Sequence, residues 1–178
     1  MKKAIIIASC CLLAIILGAC LLFPSNNTAK GYLRIHIRAN SNSNIDQTVK
    51  YKVKEAVVEY LTPLVVGASS ANEAMKIVNN NLDGISAVAT AVLEKNGFDY
   101  GAKAVLKDEY FPTRNYGDLV LENGYYDALI VNLGDGAGEN WWCVVYPPLC
   151  FVSSGEGDIE YKSLIKEIIE KIRRGKTN

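Results

Sequence analysis

The sequence predicts an α+β fold: a single exported domain with the element order β-α-α-β-β-β-α, preceded by an N-terminal hydrophobic helix. Three observations support this prediction. A strand-like alternation of apolar and polar residues opens the domain, and two long segments with helical spacing follow it. After Gly97 the chain becomes rich in β-branched and aromatic residues, as strands are. A mainly antiparallel sheet with the helices packed on one face is the simplest arrangement for this order.

The composition is that of a globular protein without a marked charge. The chain has 178 residues, 49% of them hydrophobic, and its 19 basic and 19 acidic side chains cancel. This excludes a disordered chain, and the lack of a basic excess gives no support to nucleic-acid binding. The single His excludes any site that needs two His ligands. The motifs offer no strong site of another kind, and we predict no cofactor, no metal site and no small-molecule substrate.

The first 24 residues predict an export segment. Lys2 and Lys3 precede an uncharged run at 4–23, which Pro24 ends. A helix of this length rises about 30 Å, the thickness of the bilayer hydrocarbon, and the lysines favour a cytoplasmic N-terminus. An uncleaved anchor, a cleaved signal peptide and a lipoprotein modified at Cys20 all remain open. The predicted organisation is a signal peptide or membrane anchor at 1–24, a linker at 25–31 and an exported α+β signalling domain at 32–178.

The exported domain opens with a strand that has one cationic face. Residues 33–38 alternate apolar and polar side chains, and this period of two predicts a half-buried strand. Arg34, His36 and Arg38 then share one face, because side chains two apart on a strand point to the same side. This face is interpreted either as a cationic patch for an acidic partner or lipid headgroups, or as an ordinary solvated face.

Two helices follow. Helical spacing of apolar residues predicts a first helix that begins near Asn44, with Asn44 or Ser43 as its cap, and ends or bends at Pro63. A second helix runs from the capping box at Ser70 to Asn96-Gly97, and Gly84 inside it is a candidate kink. A short loop between two helices is typical of an antiparallel hairpin.

Three strands and a final helix complete the domain. Strands are predicted at 102–107, 125–133 and 141–146, and an amphipathic helix is predicted at 159–174. The glycine-rich segment at 134–138 has the composition of a phosphate-binding loop. A strand rather than a helix follows it, so the sequence predicts a flexible hairpin loop there.

The candidate contact residues are aromatic residues and arginines. The segment 111–117 combines two aromatic residues with an Arg between two predicted strands, and such residues dominate binding hot spots. Trp141 and Trp142 must face opposite sides of a strand, so that one fills the core and the other covers a neighbouring element or forms a contact surface. The predicted partner-binding residues are Phe111, Arg114, Tyr116, Arg34, His36, Arg38 and Trp142.

Cys143 and Cys150 are the two cysteines of the predicted exported part. In an oxidising compartment they can pair, since the segment between them contains Pro147-Pro148 and can turn back; the alternative is two small buried hydrophobic residues. An apolar aromatic environment raises the pKa of a thiol and makes it inert. The sequence offers no catalytic constellation, so the protein is not predicted to be an enzyme.

The chain resembles the stage II sporulation protein R family. The resemblance is carried by segments 33–41, 111–117 and 134–151 and by the helix start Asp46-Gln47, and the string Asn-Trp-Trp-Cys at 140–143 is its most specific part. It implies an exported signal, made in the forespore and delivered to the space between forespore and mother cell, either anchored or released. The implied partners are the membrane, through residues 4–23, and a membrane-embedded aspartic protease that processes the sigma factor E precursor. The alternative is a small cell-envelope hydrolase or a cell-wall-binding module.

Overall fold

The computed structural model describes residues 31–116 and 119–151, together with Glu170 and Arg174. This part of the chain has the predicted α+β fold. Its elements are β1 (Leu33–Arg38), α1 (Asn44–Val65), α2 (Ala71–Asn80), α3 (Leu82–Lys95), β2 (Ala102–Phe111), β3 (Arg114–Tyr116), β4 (Leu119–Leu121), β5 (Gly124–Leu133), β6 (Asn140–Tyr146) and a 3-10 helix at Leu149–Phe151. The predicted N-terminal hydrophobic helix at 4–23 and most of the predicted last helix at 159–174 lie outside the described residues.

The main sheet has the strand order β2-β5-β1-β6. β1 lies in its interior, parallel to β5 and antiparallel to β6, while β2 pairs antiparallel with β5. The sheet is therefore mostly antiparallel, as predicted. β3, which lies in the segment 111–117, and β4 were not predicted as strands; they form a separate antiparallel pair.

The helices pack against one face of the main sheet, where they form the larger of two apolar cores. Every fourth residue on the inward faces of α1 and α3 is buried in this core. These residues are Val49, Val53, Val57 and Leu61 in α1 and Ile85, Ala89 and Leu93 in α3. They pack on Ile35, Leu129 and Val131 of the central strands, so the prediction of helices on one face is confirmed.

The helix ends follow the capping signals in part. The Ser43 and Ser70 hydroxyls accept hydrogen bonds from the backbone N–H groups three residues on, and so cap α1 and α2. α1 runs two residues past Pro63 to Val65. The predicted kink at Gly84 is wrong, because the second predicted helix divides into α2 and α3 at Asn81. Gly84 instead lies under Tyr60, whose ring leaves no room for a Cβ.

The opposite face of the sheet carries a second apolar core, to which β4 contributes Leu119 and Leu121. β1 is consequently buried along both faces, from Leu33 to Ile37. The prediction of a half-buried strand is thus wrong: polar residues on alternate positions of β1 face this second core rather than solvent.

The connection from β5 to β6 crosses over the end of β1. It is not the predicted hairpin loop, because β1 lies between the two strands that it joins. Gly138 donates its backbone N–H to the Ala39 carbonyl at 2.8 Å. A Cβ at Gly138 would collide with the Ser41 carbonyl oxygen. Glycine at this position therefore allows the crossing loop to lie against the segment that follows β1.

In the described part of the chain, none of the helices combines the length and the apolar character that crossing a bilayer requires.

Gly138→Ala should lower the free energy of unfolding by about 1–3 kcal/mol, because the backbone must shift to admit the methyl group. Urea denaturation of the purified protein, followed by far-UV circular dichroism, measures the change. Gly67→Ala is the matched control, since no atom lies within 4 Å of the Cβ that it adds. Equal stability of the two variants would show that the loop does not depend on this close approach.

Candidate functional site

The structure brings the seven predicted contact residues to one face of the main sheet, away from the helices. β1 supplies Arg34, His36 and Arg38, and Phe111 ends β2. Arg114 and Tyr116 come from β3, and Trp142 comes from β6. Tyr126 of β5, which the sequence did not single out, completes the group. We call these eight residues the arginine–aromatic cluster.

Arg34 lies at the centre of the arginine–aromatic cluster and is completely buried. The central carbon of its guanidinium is 4.0 Å from the centroid of the Phe111 ring and 4.8 Å from that of Tyr126. Its Nη2 donates a hydrogen bond of 3.0 Å to the Tyr116 hydroxyl. Burial lowers the pKa of Arg34, and the neighbouring Tyr116 opposes that shift. A guanidinium keeps its proton in proteins, so a positive charge is held among aromatic rings.

The buried charge of Arg34 has few polar partners. Its Nε and Nη1 have no hydrogen-bond acceptor. Glu109, an acid on the same face, pairs instead with Arg38 at 3.0 Å and with Lys107 at 2.9 Å. Within the described residues, no carboxylate forms an ion pair with Arg34. Such an arrangement is costly, because buried charges are normally paired.

His36 is also buried and stands between two aromatic rings. It stacks on Trp142 with ring centroids 3.9 Å apart, and it meets Phe111 edge-on at 5.8 Å. Its Nε2 accepts a hydrogen bond of 3.3 Å from Arg38 Nε. Burial lowers the pKa of His36 to about 4. The imidazole is therefore neutral at pH 7, and β1 presents neither an exposed cationic patch nor a solvated face.

Only part of the arginine–aromatic cluster reaches the surface. Phe111 is fully buried, whereas Arg114 is exposed and Tyr116 and Trp142 are half-buried. The Arg114 guanidinium lies 5.8 Å from the centroid of the Trp142 ring. Trp141 points to the other side and packs on the helix-facing core, so the two tryptophans face opposite sides as expected. Arg38 is also partly exposed, but it is paired with Glu109 at the edge of the cluster. We call Arg114, Tyr116 and Trp142 the accessible contact surface.

Cys143 and Cys150 form a disulfide, with their Cα atoms 5.9 Å apart. The bond ties β6 to the 3-10 helix that follows it. A bonded cysteine is not a nucleophile, and His36 is held in an aromatic stack on the opposite face of the sheet. Among residues 31–116 and 119–151, no three His, Cys, Asp or Glu side chains group closely enough to hold a metal ion.

A polar network beyond the end of β1 is the feature that sequence reasoning missed. The Asp46 carboxylate accepts hydrogen bonds from Asn40 at 3.0 Å and from Ser41 and Tyr100 at 2.5 Å. Burial raises the pKa of Asp46, but these hydrogen bonds outweigh it and leave the pKa below its usual value. Lys50 Nζ donates to the Glu139 carbonyl at 3.2 Å. The network thus joins the segment after β1, the start of α1 and the crossing loop, three of the segments that carry the family resemblance.

Comparison with known proteins gives two matches. The family model described as stage II sporulation protein R (spore_II_R) matches residues 29–156. The chain is 36% identical over 139 residues to the stage II sporulation protein R of Bacillus subtilis (strain 168), which covers 78% of this chain. It spans 62% of the length of that relative. No solved structure matches the chain.

His36 should titrate with a midpoint near pH 4 in the folded protein, because burial disfavours its charged form. The chain contains one His, so its NMR imidazole signals are followed without ambiguity. The unfolded chain takes up this proton near pH 6.5, well above the folded-state pKa. Between these two pH values only the unfolded chain binds the proton. The free energy of unfolding is therefore unaffected by His36 above about pH 6.5 and decreases as the pH falls toward 4. A midpoint near 6.5 in the folded protein would contradict the buried position.

Asp46→Asn should lower the free energy of unfolding by about 2 kcal/mol at pH 7, since hydrogen bonds to a charged group are worth roughly 1.5–3 kcal/mol. The folded-state pKa lies below the unfolded value of about 3.9, so this contribution is complete above that pH and is lost as the pH falls through the folded-state pKa. Urea denaturation over a pH series should show the variant and the natural protein converging in acid. The control is Asp99→Asn, an exposed acid, with a change within about 0.5 kcal/mol. A constant gap down to pH 2 would contradict the role of the charge.

Proposed function

Because the chain belongs to the stage II sporulation protein R family, we propose that it is an exported sporulation signal that activates a membrane-embedded aspartic protease. Family membership gives the chain a role in sporulation. The protease in turn processes the sigma factor E precursor. In this proposal the protein is made in the forespore and exported into the intermembrane space, where it is anchored through residues 4–23 or released. It acts by binding and not as an enzyme.

The observation that carries the proposal is the family match over residues 29–156, which includes nearly all of the described domain. The described chemistry agrees with a binding role. The disulfide removes Cys143 as a nucleophile, and His36, neutral and stacked on Trp142, is not placed as a base beside it. The alternative, a cell-envelope hydrolase or wall-binding module, has no arrangement of the described residues in its favour.

The accessible contact surface has the chemistry of a protein-binding hot spot. Arg114 reaches over Trp142, which stacks on His36, and the Phe111 ring meets Trp142 edge-on at 4.8 Å. The exposed Arg114 therefore lies on Trp142, and Trp142 lies on the buried side chains of His36 and Phe111. Side chains held in this way lose little conformational entropy when a partner binds, and Trp, Tyr and Arg are the residues that dominate binding energies. We place the contact with the protease on this surface.

Co-expression of the full-length chain with the sporulation aspartic protease and the sigma factor E precursor tests the proposal. Immunoblotting of the precursor should show cleavage only when all three proteins are present. A protease that cleaves equally well without the chain, or not at all with it, would overturn the proposed function.

Arg114→Ala and Tyr116→Ala should abolish precursor cleavage while the protein stays folded and reaches normal levels. A lost hot-spot contact costs about 2 kcal/mol or more, which weakens binding by roughly 30-fold. The matched controls are Lys76→Ala and Tyr51→Ala, exposed residues on α2 and α1 at the other side of the domain. Normal signalling by both folded cluster variants would exclude this surface. Loss of signalling in Tyr51→Ala alone would place the contact on the helices.

A further inference from the structure

We propose that Arg34 is a receptor for a single carboxylate of the partner protein, an Asp or Glu side chain that takes the place of the Tyr116 hydroxyl. The identity of the partner rests on the proposed function. The carboxylate site itself rests on the unpaired donors of Arg34 and on the surroundings of its guanidinium.

Arg34 has hydrogen-bond donors that no acceptor uses. The side chain is completely buried, but it makes one side-chain hydrogen bond, from Nη2 to a neutral phenol. Nε and Nη1 have no acceptor. Removing one partner of a buried ion pair is strongly destabilising because it leaves a buried charge uncompensated. Among the described residues, no carboxylate compensates the charge of Arg34. An added carboxylate would compensate it.

The neighbouring acid on the same face, Glu109, already pairs with two other cations. Glu109 Oε2 lies 3.0 Å from Arg38 Nη2 and 2.9 Å from Lys107 Nζ. Its charge is therefore neutralised by two cations at the edge of the arginine–aromatic cluster. Among the described residues no acid pairs with Arg34, and we place the complementing acid on the partner.

The surroundings of the guanidinium favour a carboxylate over other anions. Phe111 and Tyr126 lie against the guanidinium and supply no charge, and His36 is neutral at pH 7 because burial lowers its pKa to about 4. One positive charge is thus buried, and one singly charged carboxylate balances it. A phosphate dianion would bury an excess negative charge, which is costly in a water-excluded site. The planar guanidinium also matches a carboxylate through two parallel hydrogen bonds.

Tyr116 lies between Arg34 and the surface. Its side chain is half-buried and reaches the surface beside Arg114, which can attract an acidic group from solvent. Rotation of the Tyr116 side chain frees Nη2 of Arg34. Nη2 and a neighbouring unpaired nitrogen of the guanidinium then form an edge with two donors. A charged acceptor binds such an edge about twice as strongly as a neutral hydroxyl does. The carboxylate therefore displaces the phenol.

NMR of the full-length chain in detergent, labelled with ¹⁵N-arginine, tests the site directly. The Arg34 Nε–H signal is identified by its loss in Arg34→Lys or, if that variant does not fold, by assigning the other four arginines through their Lys variants. The probe is N-acetylglutamate α-amide, with N-acetylglutamine α-amide as the matched uncharged compound and inorganic phosphate as the alternative anion. The signal should shift saturably with the glutamate derivative alone, in the millimolar range. Tyr116→Phe should tighten that binding several-fold, because it removes the competing hydroxyl.

Three results would overturn the carboxylate site: no shift up to about 100 mM, an equal shift with the glutamine derivative, or an equal shift with phosphate. The cleavage assay separates this failure from failure of the proposed function. Cleavage by the natural chain without glutamate binding would refute the site alone. Glutamate binding without any protease activation would refute the protease as the partner and leave the carboxylate site intact.

Discussion

The position of β1 between β5 and β6 is the constraint on which the rest of the structure depends. The helices cover one face of β1 and the second core covers the other, so both sets of alternating side chains are buried. The apolar set packs under the helices. The polar set, Arg34, His36 and Arg38, lies on the other face. Aromatic residues from β2, β3, β5 and β6 contact it there. The arginine–aromatic cluster therefore depends on the interior position of β1 in a sheet that is covered on both faces.

The same constraint explains the polar network beyond β1. The chain must leave an interior strand and later pass over its end to join β5 with β6. Both passages expose backbone groups that require partners. Asn40 meets this need twice: its side-chain oxygen accepts from the Asp135 N–H at 3.0 Å, and its amide nitrogen donates to Asp46 at 3.0 Å. The two loops thus stabilise each other, and the contact residues of β1 and β6 are held in register by structure that lies outside the contact surface.

Sequence reasoning identified the elements better than their arrangement. Capping signals at Ser43 and Ser70 placed two helix starts, because a cap is a local interaction between neighbouring residues. The alternation at 33–38 placed β1 but misjudged its burial, since an Arg that lies on aromatic rings has the same sequence pattern as an Arg in solvent. Tyr126 was missed for a related reason: its membership of the arginine–aromatic cluster depends on the β1–β5 register, which no local pattern encodes. The candidate contact residues were found by their chemistry, and their binding role stays a prediction.

Site-specific photo-crosslinking during co-expression tests most directly the claim that this face of the sheet contacts the protease. p-Benzoylphenylalanine replaces Tyr116, and in a parallel sample it replaces Tyr51 on the helix side; both positions already hold an aromatic ring, so the disturbance is small. The account predicts a crosslink to the protease from position 116 and none from position 51, with precursor cleavage retained at 51. A crosslink from position 51 alone, or none from 116 while cleavage proceeds, would contradict it.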